Sequence, residues 1–427
     1  MPELFTIRAD LSKVTGMTGF RRFSLTLLHR LGLRRSLCKN SFIGTASLSA
    51  LLLVGISAEA FTFTEIASTN TSNFTDFGNG AINELGQIAF AAEIAGQTGI
   101  FSGDGGAISQ LVSPAEGFSP DELGFNSAGK VVFEQFSTPG IFENSGGITT
   151  PLITEASSPG QIGFTGQSFF SPKLNESGTV AFEAVNFDTG EQGLFLAKDG
   201  SITTIAKSPG FDIFRFSLNN NDQVAFFAIA ATAPDGDGIF LRDSGGAPVP
   251  LPDPQGFGTI EGIVLNDSET VAFDTLFNND EGVLSQGIFL QKGEDITLLV
   301  DNAGEFSDFD RSVPVNNAET VVFSAGLDSG GSGIFTGPDP IADKVIAVGD
   351  DLFGMSVTSL GFFQQTGLNN AGQIAFSAEF ADGSKSIFRA DPEGPDAESV
   401  PEPTVILGMC ILGAAGFKMR SSASSGR

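Results

Sequence analysis

One phrase recurs seven times along this chain and narrows what it can fold into. It reads Asn, three variable residues, a polar residue, Val or Ile, Ala or Val, Phe; after a variable hairpin come Gly, Ile or Leu, and Phe. The asparagines are Asn83, Asn126, Asn175, Asn219, Asn266, Asn316 and Asn369, spaced 43, 49, 44, 47, 50 and 53 residues apart. The first phenylalanines are Phe90, Phe133, Phe182, Phe226, Phe273, Phe323 and Phe376. The second are Phe101, Phe142, Phe195, Phe240, Phe289, Phe335 and Phe388. Self-similarity at such a period is the mark of a repeat fold, in which each unit buries its apolar face against its neighbours.

Each copy holds four short strand-like pieces separated by Gly, Asn, Asp and Pro. They are typified by Phe214–Leu218, Gln223–Ile229, Gly238–Arg242 and Ile260–Leu265, or equivalents of the last such as Ile202–Ala206. The Asn suits the first turn because its side chain caps turn backbone and tolerates left-handed geometry. Three residues later stands Gly86, Gly129, Gly178 or Gly372, the left-handed residue of a short hairpin. Asp222, Glu269 and Glu319 occupy that place in the other copies, which predicts a different turn there. The glycine before the second Phe (Gly99, Gly140, Gly193, Gly238, Gly287, Gly333) predicts a close backbone approach, with Ser386 as the exception.

Four strands in 43 to 53 residues, seven times over, predict an all-β, seven-bladed β-propeller of four-stranded repeats. A β-solenoid is the alternative, although its coils are shorter, about 20–30 residues each. Val-Ala-Phe triplets suit strands buried on both faces. With 42 Phe and neither Trp nor Tyr, the core must be built on Phe. The stretch Phe61–Ala67 reads like a fourth strand, and the seventh copy ends after Ser386–Ala390 without one, so the start of the repeat region is predicted to close the ring.

The two ends differ from the middle. Before residue 42 lie Arg21, Arg22, Arg30, Arg34, Arg35 and Lys39; an apolar stretch from Phe42 to Ile56 follows, then Ser57-Ala58-Glu59-Ala60. A basic region, an apolar core and small residues at Ala58 and Ala60 form the layout of a cleaved secretory signal. The last 28 residues read Val400-Pro401-Glu402-Pro403, then an apolar run from Thr404 to Phe417, then Lys418 and Arg420. That run is shorter than the ~20 residues of a full transmembrane helix, and its basic flank can snorkel to the interface. The expected organisation is a leader at 1–60, a propeller at 61–392, a linker at 393–399, and a tail at 400–427 with a short apolar helix.

This tail resembles the PEP-CTERM sorting signal, and the repeats resemble uncharacterised propeller-like units of PEP-CTERM proteins. The resemblance implies an exosortase-type protease and the export machinery as partners. It implies a chain exported, tethered to the membrane through its terminal segments, then delivered to the cell surface or outside. It implies no ligand and no activity.

Charge and residue types exclude much of the rest. Residues 61–400 hold 11 Lys and Arg against 46 Asp and Glu, which repels phosphate backbones and excludes nucleic acid as a partner. His29, Cys38 and Cys410 all lie in the terminal segments, so the repeats hold no thiolate or imidazole for nucleophilic catalysis or metal ligation. No catalytic or cofactor-binding residue is expected, and no cofactor. The Asp-rich stretches Pro234–Gly238, Asp274–Asp280 and Asp301–Asp310 offer oxygen ligands that suit Ca²⁺, though none has the twelve-residue EF-hand spacing and they read first as surface turns. The reading that remains is a non-enzymatic interaction or structural module meeting an extracellular polymer or surface protein. Its rivals are a carboxylate-dependent glycoside hydrolase or lyase acting on extracellular polysaccharide, and a Ca²⁺-dependent adhesion module.

Overall fold

The computed structural model describes residues 61–393 except 116–117, 119, 121, 136–138, 155–161, 163–167, 231–236, 244, 254–256 and 280–281. Both the leader with Ala58 and Ala60 and the tail with Val400, Pro401, Glu402, Pro403, Lys418 and Arg420 lie outside the described residues. Among the described residues there is no helix long and apolar enough to cross a membrane.

Seven antiparallel sheets stand in a ring, six with their strands in chain order from the channel outward and the seventh with the first strand of the described chain outermost. The protein is a seven-bladed β-propeller. Blade 3 shows the unit: Ser168–Leu174 innermost, then Val180–Asn186, Glu191–Lys198, and Ser201–Lys207 outermost. Blade 7 is completed as the sequence predicts, by Phe61–Ser68 pairing with Lys385–Pro392, Phe61 opposite Pro392. A further short strand, Asp351–Leu352, extends this blade on its inner side.

The repeated triplets open the second strand of each blade, in blade 6 with Phe323 as its first residue. Ile88-Ala89-Phe90, Val180-Ala181-Phe182 and their five equivalents are no more than 1% exposed, because the neighbouring blades cover both faces. In all seven blades the first Phe faces the second across strands two and three in direct register. Their ring centroids lie 5.4 to 6.2 Å apart. A third ring packs on each pair: Phe74, Phe118, Phe169, Phe211, Phe257, Phe306 and Phe353. Such pairs add about 0.5–1.5 kcal/mol beyond area burial, which is why the sheets hold without Trp.

Three expectations are corrected. Ile260–Leu265 is the innermost strand of blade 5, not an outer strand of blade 4, whose fourth strand is only Val249–Pro250. The first turn does not change at Asp222, Glu269 and Glu319, which keep the left-handed conformation at φ 60°, 64° and 63°. Their side chains reach the preceding blade, Asp222 to Asn175, Glu269 to Gln223 and Glu319 to Thr270, and hold the turn. The glycine before the second Phe fits closely in five copies but not at Gly238, where no described atom lies within 4 Å of an added Cβ. The short outer strand leaves that edge open.

Candidate functional site

Each innermost strand runs down the channel to its Asn, so the strand one–two turns form one face of the disc, here called the lower face. Every Asn side chain donates through Nδ2 to the backbone carbonyl of the next blade's Asn. Asn369 donates to Asn83 at 3.0 Å and closes the circle. Meanwhile Oδ1 accepts backbone N–H groups of its own turn, as Asn219 does from Asn221 and Gln223. Seven buried carboxamides thus link all blades edge to edge.

A second circle lies just outside the first, where the residue after each Asn donates its N–H to the corresponding side chain of the next blade. Six such links exist, from Ser127 to Glu176 round to Asn370 on Glu84. Ser127 is too short to receive a seventh. Desolvation raises the pKa of Glu84, with Glu176 and Asp267 across the mouth adding to it and the bonds from Asn370 opposing it.

The upper half of the channel is wider and different in character. Its cavity measures about 310 Å³ and draws residues from blades 2 to 7. β-Bulges in the inner strands aim side chains into it, since the pairing register shifts between Phe170 and Lys173, Ile213 and Arg215, and Ile260 and Gly262. Ser171, at φ 55°, Arg215 and Glu261 project from those bulges.

Charges of both signs converge there. Lys173 bonds Glu122 at 2.5 Å, and Ser171 Oγ donates to the same carboxylate at 3.3 Å. Burial works against ionising Glu122, but Lys173 and these bonds prevail and hold its pKa below the usual range. Glu183, following Phe182 on the second strand of blade 3, pairs through its backbone, but its carboxyl has no hydrogen-bond partner among the described residues. Burial pushes its carboxyl up to about 7, with Arg215 pulling the other way. Arg215 is fixed by two backbone carbonyls, Nε donating to Glu261 at 3.0 Å and Nη1 to Phe214 at 2.9 Å. Arg311 approaches the Glu261 carboxylate at 3.4 Å.

The floor of this cavity comes from blade 7. Its inner strand, Met355–Phe362, is interrupted by a 3₁₀ turn at Gln364–Thr366 before Leu368 resumes pairing with Ile374. Gln365 donates to the carbonyl of Ile263 in blade 5 at 3.1 Å. Thr366 donates to Gly80 of blade 1 at 2.8 Å. Gln365 borders both the upper cavity and the lower one of about 150 Å³ behind the asparagine circle, so it partitions the channel.

No family model matches the chain, and no curated protein matches it. Solved structures similar to it are propellers in outline only. Virginiamycin B lyase from Staphylococcus aureus is 13% identical with a TM-score of 0.45, covering 78% of this chain and 100% of that one. YCF48 bound to D1 peptide is 10% identical with a TM-score of 0.42, covering 79% and 100%. A puromycin-hydrolysing peptidase from Mycobacterium tuberculosis is 12% identical with a TM-score of 0.36, covering 71% and 57%. At such distances neither activity nor ligand carries over.

Of the Asp-rich stretches, residues 234–236 and 280 lie outside the described residues. Asp274 is not in a loop but inside the second strand of blade 5, fully buried, with Gln286 on one carboxylate oxygen at 3.2 Å. Burial raises its pKa to about 6, partly opposed by that bond. Asp301 caps its own turn through Ala303, and residues 306–309 form a strand. Among the described residues no group of three or more His, Cys, Asp or Glu is placed to hold a metal. The sequence reading missed the upper cavity entirely, because Glu122, Lys173, Glu183, Arg215 and Gln365 stand outside the repeated phrase. The one available signal was scarcity: three of the eleven basic residues at 61–400 line this cavity.

Proposed function

We propose that this chain is an exported, surface- or matrix-associated interaction module that takes an extracellular partner into the upper cavity of its propeller and performs no reaction on it. The observation that carries this reading is the construction of the cavity: six blades contribute to it, guanidinium and carboxylate groups are braced within it, and Gln365 closes it beneath. A preformed recess with fixed polar groups suits recognition without large rearrangement. The leader at 1–60 passes the chain to the export machinery, and the tail presents Val400-Pro401-Glu402-Pro403 to an exosortase-type protease. The membrane is met through those terminal segments alone.

One observation favours a second reading. Glu122 and Glu183 border one cavity with their pKa values pushed apart, which is the arrangement that assigns base and acid in a carboxylate-dependent glycoside hydrolase or lyase. Incubation with soluble and insoluble polysaccharides separates the two. Retention on the polymer with no release of reducing ends or unsaturated sugars is the expected result. Product release abolished by Glu183→Gln would establish the enzyme instead.

A further inference from the structure

The walls of the upper cavity specify a ligand chemistry, an inference that rests on the interaction-module reading. Phe214 stands on the wall with 45% of its surface exposed, tilted against Phe227 with centroids 5.8 Å apart, and offers a flat apolar platform. Beside it, Arg215 is held by two backbone carbonyls, one on Nε and one on Nη1. Its remaining N–H groups have no hydrogen-bond partner among the described residues, and its nearest approach to the Glu261 carboxylate is 3.9 Å. Arg311 shares that single carboxylate. Two guanidinium groups thus converge on one carboxylate, with the Glu183 carboxyl that Arg215 also acts on as the further acid of this wall, in a region carrying 46 acidic against 11 basic residues. Lys173 and Glu122 cancel as a pair further along. Glu261 and the exposed Gln364, held at φ 34°, supply acceptors and an amide at the same wall.

We propose that this wall binds a hydroxylated ring bearing a carboxylate, the chemistry of a uronic-acid sugar. The ring lies on Phe214, its carboxylate takes the remaining N–H groups of Arg215 with Arg311, and its hydroxyls meet Glu261 and Gln364. A planar guanidinium held in advance matches a carboxylate in two parallel bonds. A neutral sugar leaves those donors unpaired, and a bare anion leaves Phe214 uncovered. At about 310 Å³ the cavity sits at the small end of ligand sites and takes one or two rings rather than a long chain.

The test is calorimetric titration of the full chain with galacturonate trimer, galactose trimer and sulfate. The expected result is binding of the galacturonate trimer, with both other probes weaker by about tenfold or more, as suits a charge-assisted contact. Arg215→Gln should lower that affinity by about tenfold, while Lys292→Gln, on the outer part of blade 5, leaves it unchanged. Should Arg215→Gln fail to fold, Arg311→Gln serves the same purpose, because that side chain is 69% exposed. Equal binding of the galactose trimer overturns the ligand class and leaves the interaction module standing. Sulfate binding as tightly as galacturonate reduces the wall to an anion site and overturns the ring. No heat with any probe at about 10 mM overturns both the ligand class and the cavity as the module's site.

Discussion

Asn219 makes four hydrogen bonds through one carboxamide: Nδ2 to the Asn266 carbonyl and Gln223 Oε1, Oδ1 from the N–H groups of Asn221 and Gln223. That is the full capacity of the side chain, reached while 4% exposed, and no other residue type has both donors and acceptors at that reach. Asn219→Ala orphans the N–H groups of Asn221 and Gln223, while the Asn266 carbonyl keeps only its bond from Glu269, and should cost about 2–4 kcal/mol in urea unfolding. At Glu183 the sign is reversed. Its folded pKa of about 7 stands above the ordinary 4.5, so folding takes up a proton and stability falls as pH rises from about 4.5 to 7. Glu183→Gln should therefore raise the melting temperature at pH 8 and leave it unchanged at pH 4.5. The asparagines announce themselves in the sequence because all seven blades need them. Glu183 is invisible there, because its pKa comes from what other strands place around it.

At the scale of the strand and turn, one position is solved in two ways. In the first hairpin Gly86 leaves room for Gln373 of the preceding blade, whose Oε1 would lie 2.5 Å from an added Cβ. Asp222, Glu269 and Glu319 instead send their own side chains back to that blade. Contact between blades is kept while the residue supplying it changes, so the sequence alone suggests a different turn where the backbone is the same. The glycines before the second Phe behave oppositely. They look alike in sequence, yet a Cβ at Gly140 would meet the Ile153 carbonyl at 2.7 Å, whereas Gly238 has no described neighbour within 4 Å. Gly140→Ala should destabilise by about 1–3 kcal/mol, and Gly238→Ala should stay within about 0.5 kcal/mol of the parent. Equal losses at both sites would count against the outer strand as the cause.

Across the whole molecule, stability depends on a strand that arrives first and pairs last. Phe61–Ser68 covers the outer edge of Lys385–Pro392, and without it that edge would expose unpaired N–H and carbonyl groups. Deletion of 61–68 should lower the melting temperature sharply and promote self-association, and adding the eight-residue peptide in trans should partly restore it. The charge distribution adds a pH dependence. Glu183 and Asp274 lose stabilisation as pH rises above about 4–5, whereas Asp222 loses its own as pH falls toward its folded value of about 2. Burial opposes the low value of Asp222, and bonds from Lys198, Thr179 and Asn175 enforce it. A thermal scan should thus find its maximum on the acid side, at about pH 4 to 5.5, and lose it when Glu183 and Asp274 are neutralised together. The sequence by itself determined the number of blades, the phenylalanine pairs and the closing strand, because those features repeat in every copy and repetition is readable along one chain. Only the tertiary structure decided where charge and polarity meet in the channel, because Glu122, Arg215, Glu261 and Gln365 belong to different blades and become neighbours only when the ring closes.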